Sequence, residues 1–450
     1  MSKQKMNGFY KMFFSMYFIL VFQNVITLSV NLADNMMLGA YSEAALSGVA
    51  AVNQIQFIFQ QVLNAFGDGM VIIGSQYWGK KNTKPIKQLT AMAMQIGLAI
   101  SVILFLVISL FPAQVMQIFT NEQVIISEGV RYLNIIRFTY VFFAITQILL
   151  ATLRSVETVK IAFVLSVQTL IVNCCINYVL IYGRFGAPEL GVEGAAIGTL
   201  AARILETVTL ITFLIIKENK LHLKLKDYLK LDYSLFRDYM KTTTPIVVIQ
   251  GLWGLNTALQ TVILGHMTAA AIAANSMASN LFLIVKSAAV GAASTASVII
   301  GKTIGTGDIP LVKQYAKVLQ RMFVVIGLLA GTLLFFLRIP ILGLYDLAPA
   351  TKEMANTFLI ILSVVCVGMS YQMPTNIGII RGGGSAGFVV KVDIISIWGI
   401  VLPLSFIMAF VVKASPAVVV CCLNADQLFK CVPAFIKANY GNWIKKLTRD

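Results

Sequence analysis

Apolar stretches dominate the chain and short polar ones punctuate it. Long runs without Asp, Glu, Lys or Arg include 12–33, 88–121, 161–183, 242–285, 354–380 and 394–412. A helix needs roughly 20 apolar residues to cross the hydrocarbon core of a bilayer, and every run is of about that length or longer. The run 242–285 is long enough for two crossings, with a turn near Gly265-His266. The pattern predicts twelve spans: near 12–36, 45–76, 86–111, 127–152, 160–182 and 191–216, then 234–262, 270–300, 313–338, 352–375, 388–412 and 415–438. A closed β-barrel is the other way to satisfy a backbone in lipid. Its strands would alternate strictly over about 10 residues, and these runs do not. The expected fold class is all-α integral membrane, with twelve transmembrane helices.

The pattern is also written twice. Residues 38–88 read LGAYSEAAL…VIIGSQYWGKKNTKPIKQ, and 264–314 read LGHMTAAAI…VIIGKTIGTGDIPLVKQ. Gly39 pairs with Gly265, Gly79 with Gly305, and Lys87-Gln88 with Lys313-Gln314, all at one constant offset; Arg154 and Arg381 echo each other one residue away from it. The expected organisation is two pseudo-symmetric six-helix bundles: an N-terminal lobe over 1–216, a basic linker over 217–233, and a C-terminal lobe over 234–450 with a short tail. Six helices per half keep the orientation of the second copy, a parallel repeat with its axis along the membrane normal. Such a duplication predicts a cleft between the lobes, and rocking of the lobes opens it to either side.

Composition agrees and charge adds orientation. The chain is 58% hydrophobic and 12% charged, with a formal net charge of +16, more apolar and less charged than a soluble domain. With the N-terminus inside, the inner segments take Lys3, Lys5 and Lys11, Lys80 to Lys87, Arg154 and Lys160, the basic residues from Lys217 to Lys241, Lys302 to Arg321, Arg381 and Lys391, and Lys437 to Arg449. The outer loops take Arg184, Arg338, Lys352 and Lys413. This asymmetry places both termini in the cytoplasm, in a plasma (inner) membrane. The surplus charge then meets anionic headgroups rather than nucleic acid. The linker KENKLHLKLKDYLKLDYSLFRDYMK alternates basic and apolar residues and reads as a surface helix or strap on the inner leaflet. The first apolar run continues to about 36, too long for a cleaved signal.

Few residue patterns suggest catalysis. The six cysteines, Cys174, Cys175, Cys366, Cys421, Cys422 and Cys431, fall inside expected helices and read as reduced packing residues. The two histidines, His222 and His266, have no metal-ligand spacing, so no tightly bound metal and no cofactor are expected. HExxH, GxSxG and P-loop patterns are absent from the sequence, and the RGGGSAG run at 381–387 lacks the GK[ST] of a P-loop. The chain is not expected to be an enzyme.

Asp34 is the sharpest candidate. It closes an apolar helix in NLADNMMLG, and the repeat offset puts Gln260 at the same place in the second copy. A carboxylate at the centre of a span costs roughly 2.5–3.5 kcal/mol on an insertion scale, less near its end. It reads either as an interfacial residue capping a turn or as a site that alternately holds a proton or a metal cation. Asn173 and Asn177 are four apart and share a helix face, as do Ala195 and Thr199. A carboxylate, two amides, a hydroxyl and a backbone carbonyl form an oxygen-only set suited to Na+ or to a proton network; asparagine pairs also join helices. Arg203 and Glu206 are expected to form a local ion pair, as are Asp426 and Lys430. Candidates for a substrate cleft are Gln23, the stripe Asn53, Gln56, Gln60 and Asn64, Asp68, then Gln250, Trp253 and Asn256, Lys286 (the counterpart of Gln60), and Tyr371 and Gln372. Scattered amides with many Phe and Met suit bulky amphiphilic or cationic ligands. For most of those Phe and Met, helix packing and lipid contact are explanation enough.

D-x4-G from Asp34 to Gly39, LGVEGAAIGT at 190–199, Leu-Arg after the fourth span, Ile-Ile-Arg-Gly after the tenth and the repeat itself together resemble the multidrug and toxic compound extrusion (MATE) family. The resemblance covers nearly the whole chain and implies an inner-membrane antiporter that exports organic cations and other drugs against Na+ or H+, as a monomer. It implies a cation site in the N-terminal lobe at Asp34, Asn173, Asn177, Ala195 and Thr199. Some relatives have Asp at the place of Asn177, so this site would hold one carboxylate. Another branch uses acids on the seventh and tenth helices, where this chain has Gln250, Trp253 and Ser370. The expected function is a cation-coupled antiporter of amphiphilic or cationic compounds; the alternative is a flippase of lipid-linked oligosaccharide or another lipid.

Overall fold

The computed structural model describes residues 3–223, 227, 232–265, 267–344 and 348–449. His266, expected in a turn, and linker residues 224–226 and 228–231 lie outside the described residues. The described chain is helical. Its long helices are α1 (Lys3–Tyr41), α2 (Glu43–Gly79), α3 (Lys84–Leu110), a short α4 (Pro112–Gln117), α5 (Gln123–Ile136), α6 (Thr139–Ser155), α7 (Lys160–Ile181) and α8 (Val192–Ile216). The second half brings α9 (Tyr233–Gly265), α10 (Ala269–Gly305), α11 (Ile309–Leu344), α12 (Pro349–Met373) and α13 (Ala386–Asp393). It ends with α14 (Leu402–Phe406), α15 (Pro416–Asn424), α16 (Asp426–Phe429) and α17 (Cys431–Tyr440). Among the described residues, eleven helices are long and apolar enough to span a membrane, and up to twelve if one bent pair counts as a span. The protein is a multi-pass membrane protein.

The fourth span departs from expectation. In place of one helix over 127–152, α5 and α6 meet at 55°. Arg137 sits at the break, its guanidinium over the Phe105 and Phe138 rings at 5.6 and 5.2 Å. There the Phe138 amide bonds the Ile135 carbonyl at 3.3 Å, a tighter three-residue closure than an α turn. The tenth span differs in another way: beyond α12 the chain stays helical to Arg381, but with π geometry from Pro374. Pro374 has no N–H to continue the α ladder. In the linker no helix forms over 218–223; the Glu218 carboxylate instead accepts from the Lys220, Leu221 and His222 amides at 2.7 to 2.8 Å. Lys87 holds that segment by bonding the His222 carbonyl at 3.0 Å.

The chain forms two compact units. One comprises Phe22–Gly74 and Lys81–Thr243 and is called here the Asp34 unit. The other comprises Met1–Val21, Ser75–Lys80 and Thr244–Asp450 and is called the Lys286 unit. In the Asp34 unit Leu38, Val52, Leu63, Leu133, Tyr140, Ile181 and Val192 pack into one buried cluster. The core of the Lys286 unit has two clusters, one around Phe358, Leu359 and Val419, the other around Phe9, Phe13, Ile299 and Phe323. All six cysteines are free.

Candidate functional site

In the Asp34 unit, α1, α7 and α8 carry a continuous polar row. Asn177 and Asn173 lie one turn apart on α7 and are buried. The Asn177 amide donates to Asp34 Oδ1 at 2.7 Å and to Asn173 Oδ1 at 3.3 Å. Asn173 in turn donates to Thr199 Oγ1 at 3.2 Å. Helix α8 approaches α7 so closely because it offers glycine there. A Cβ at Gly198 would strike Asn177 Oδ1, and one at Gly194 would meet the Leu180 carbonyl carbon at 2.6 Å. Small residues one turn apart are how transmembrane helices come into backbone contact.

The structure thus brings Asp34, Asn173, Asn177 and Thr199 into one hydrogen-bonded chain. Ala195 lies one turn before Thr199 and packs its methyl into the apolar cluster with Leu38 and Tyr132. Asp34 itself is half-buried and has no ion pair among the described residues. The nearby cation, Arg203, is held by Glu206 at 2.7 Å and lies over the Phe143 ring at 5.0 Å. Its charge reaches Asp34 without pairing with it. Asn177 Oδ1 is buried and has no hydrogen-bond partner among the described residues. A buried acceptor left open beside a lone carboxylate is a place where a small cation or an ordered water recovers lost interaction energy. Tyr132 on α5 completes the surroundings, its phenol beside Thr199. Sequence reasoning missed Tyr132, because a tyrosine in an apolar helix carries no spacing signal of its own.

The other candidates fall into two kinds. On α2, Asn53 is exposed and Gln56, Gln60 and Asn64 are half-buried; none of the four bonds another group among the described residues. Gln23 on α1 is half-buried, and its carbonyl accepts from Thr27 at 2.9 Å. Asp68, also on α2, is paired with Arg154 at 3.2 Å. In the Lys286 unit the polar residues are mostly engaged. Asn256 is buried and accepts from Gln260 at 3.4 Å. Tyr371 donates to Gln320 at 2.8 Å. Gln372 donates to Gln427 at 2.7 Å and accepts from Asn376 at 3.1 Å. Gln250 and Trp253 are half-buried on α9, and the Lys286 ammonium lies over the Trp253 ring at 4.7 Å. The Asp426–Lys430 pair, at 2.9 Å, proves to be a triad, because Asp393 also reaches Lys430 at 2.7 Å. Asp393 was invisible from the sequence: it is far from Lys430 in the chain and on a different helix. Among the described residues no cluster of His, Cys, Asp and Glu could hold a metal ion.

Comparison with known proteins places this architecture. The protein named "Probable multidrug resistance protein NorM" of Thermotoga maritima is 25% identical over 435 residues, covering 95% of this chain and 92% of that protein. A protein of the same name from Listeria monocytogenes is 26% identical over 409 residues, covering 89% and 88%. The crystal structure of the Vibrio cholerae MATE transporter VcmN in its bent form superposes with a TM-score of 0.87 at 16% identity, over 98% of each chain. The outward-facing conformation of a multidrug resistance MATE family transporter superposes at 0.86 and 14%, over 95% and 94%. At such identities the structural likeness shows the fold. The MatE family model matches residues 20–179 and 245–407, in both copies of the repeat. The chain belongs to the MatE family, the multidrug and toxic compound extrusion family of membrane transporters.

Proposed function

We propose that the protein is a cation-coupled antiporter that exports amphiphilic organic compounds by alternating access. The observation that carries the coupling is Asp34: a carboxylate on a spanning helix, bonded to Asn177 and free of any ion pair among the described residues. A Na+ ion or a proton arriving at Asp34 is the transported co-substrate. Na+ would take the Asp34 carboxylate, the open Asn177 Oδ1 and the Thr199 hydroxyl, which are hard oxygen donors. A proton would need only the carboxylate and the amide row. Binding of either cancels the one unpaired acidic charge of the Asp34 unit's polar row and so biases its conformation. The membrane potential adds roughly 2.3 kcal/mol per charge per 100 mV to inward cation movement.

Drug export is supported by relatives named for multidrug resistance. Loop charges support a plasma-membrane location with cytoplasmic termini, and a monomer is the working unit. The two rows of α2 amides and α9 and α12 side chains are the proposed substrate contacts. The lipid-flippase alternative is not favoured, since its own specific observation is lacking. The test is transport in proteoliposomes with Na+ and pH gradients imposed separately. Wild type should move substrate under one of them, and Asp34→Asn under neither. Full gradient-driven export by the variant would remove Asp34 from the coupling step.

A further inference from the structure

Lys286 lies near the middle of α10, where an ammonium without a partner is costly. Two interactions reach it among the described residues: the Trp253 indole face at 4.7 Å and the field of Asp426. Asp426 is already engaged through its Oδ2. It is buried, it is bonded to Lys430 at 2.9 Å, and it accepts from Gln427 at 2.9 Å. Asp393, the other carboxylate of these last helices, is likewise bound to Lys430. Asp393 and Asp426 thus share Lys430, and Lys286 rests on an aromatic ring.

The surface of α9 is open at its glycines. Gly251 and Gly254 flank Trp253 on α9, and a Cβ built at either meets no atom within 4 Å. Lys286 and Trp253 are both half-buried, so neither is sealed in a core. An ammonium on an indole is held by the ring quadrupole, an attraction weaker than an ion pair in a low-dielectric site. An incoming anion would outcompete the indole for the ammonium, while the apolar body of the ligand used the open surface beside Gly254. A cationic ligand would meet a like charge at the ring, with Asp393 and Asp426 already bonded to Lys430, one cation between two acids.

We propose that Lys286 and Trp253 form an anion-recognition site, and that the substrates it admits are amphiphilic organic anions, an aromatic ring bearing a carboxylate or sulfonate. The proposal rests on the export reading for its physiological sense and reverses the cationic preference that composition suggests.

The test is equilibrium binding without any gradient, using the purified full chain in phosphatidylcholine nanodiscs. The probes are naphthalene-2-sulfonate and 2-naphthyltrimethylammonium, one ring with opposite charges. Wild type should bind the sulfonate about tenfold tighter or more, a difference on the scale of one net ion pair. Lys286→Gln should weaken the sulfonate about tenfold and leave the ammonium probe unweakened, while Lys286→Arg keeps the wild-type preference. Wild type that favours the ammonium probe or binds neither overturns the proposal, as does Lys286→Gln binding the sulfonate like wild type. The export reading fails separately, when wild type moves no substrate in the gradient assay.

Discussion

Two of the places where the copies of the repeat part company in charge are instructive. The first copy has Asp34 where the second has Gln260, and Gln60 where the second has Lys286. At both places an uncharged amide serves one copy, so helix packing does not require the charge. Gln260 shows what such an amide does, bonding Asn256 one turn away on its own helix. Asp34 instead joins α1 to α7 through Asn177. Gln60 belongs to an unbonded stripe with Asn53, Gln56 and Asn64, whereas the corresponding positions on α10 are Ser279, Phe282, Lys286 and Val290. The first copy thus offers open amides and one lone carboxylate, and the second offers apolar surface and one lone ammonium. A charge that the fold does not need, kept in lipid at a cost, is best explained by the ligand it meets.

The largest expected effect comes from erasing the acidic half of this contrast. Asp34→Asn should lower gradient-driven transport by about 100-fold or more, the scale of losing a required charge, with the thermal midpoint nearly unchanged. Next comes a control on a charge that the fold does need. Lys430→Met leaves Asp393 and Asp426 without their shared cation and should cost about 3–5 kcal/mol of stability, read as a lower unfolding midpoint. Lys286→Gln, which breaks no ion pair, should leave that midpoint in place.

Gly198→Ala is a subtler probe. Its Cβ would strike Asn177 Oδ1 and should cost about 1–3 kcal/mol, while weakening coupling through displacement of Asn177 from Asp34. The smallest structural effect is expected on α2. Asn53→Ala and Gln56→Ala remove amides that bond nothing described, so stability should hold within about 0.5 kcal/mol. Their readout is the relative affinity for different substrates.

The helical architecture was legible in the sequence because lipid leaves a backbone few options and because the repeat doubled every signal. The bend at Arg137 was not legible, since hydropathy registers the length of an apolar run and not a cation folded onto Phe105 and Phe138 within it. The Asp34 row was half legible. A helical period puts Asn173 and Asn177 on one face, but their bond to Asp34 joins residues 143 apart in the chain. Tyr132 and Asp393 were hidden for the same reason: each meets its partner across helices, and no spacing rule connects them. Glycine gave the one local clue, because Gly194 and Gly198 mark where α8 meets α7.

The central claim is that Asp34 couples transport to a cation without being needed to bind or carry substrate. Its most direct test is counterflow in proteoliposomes, in which labelled substrate exchanges for unlabelled substrate with no ion gradient present, set beside gradient-driven accumulation by the same Asp34→Asn preparation. The account predicts exchange near the wild-type rate and no accumulation. Accumulation at the wild-type level, or loss of exchange in a folded protein that still binds substrate, would contradict it.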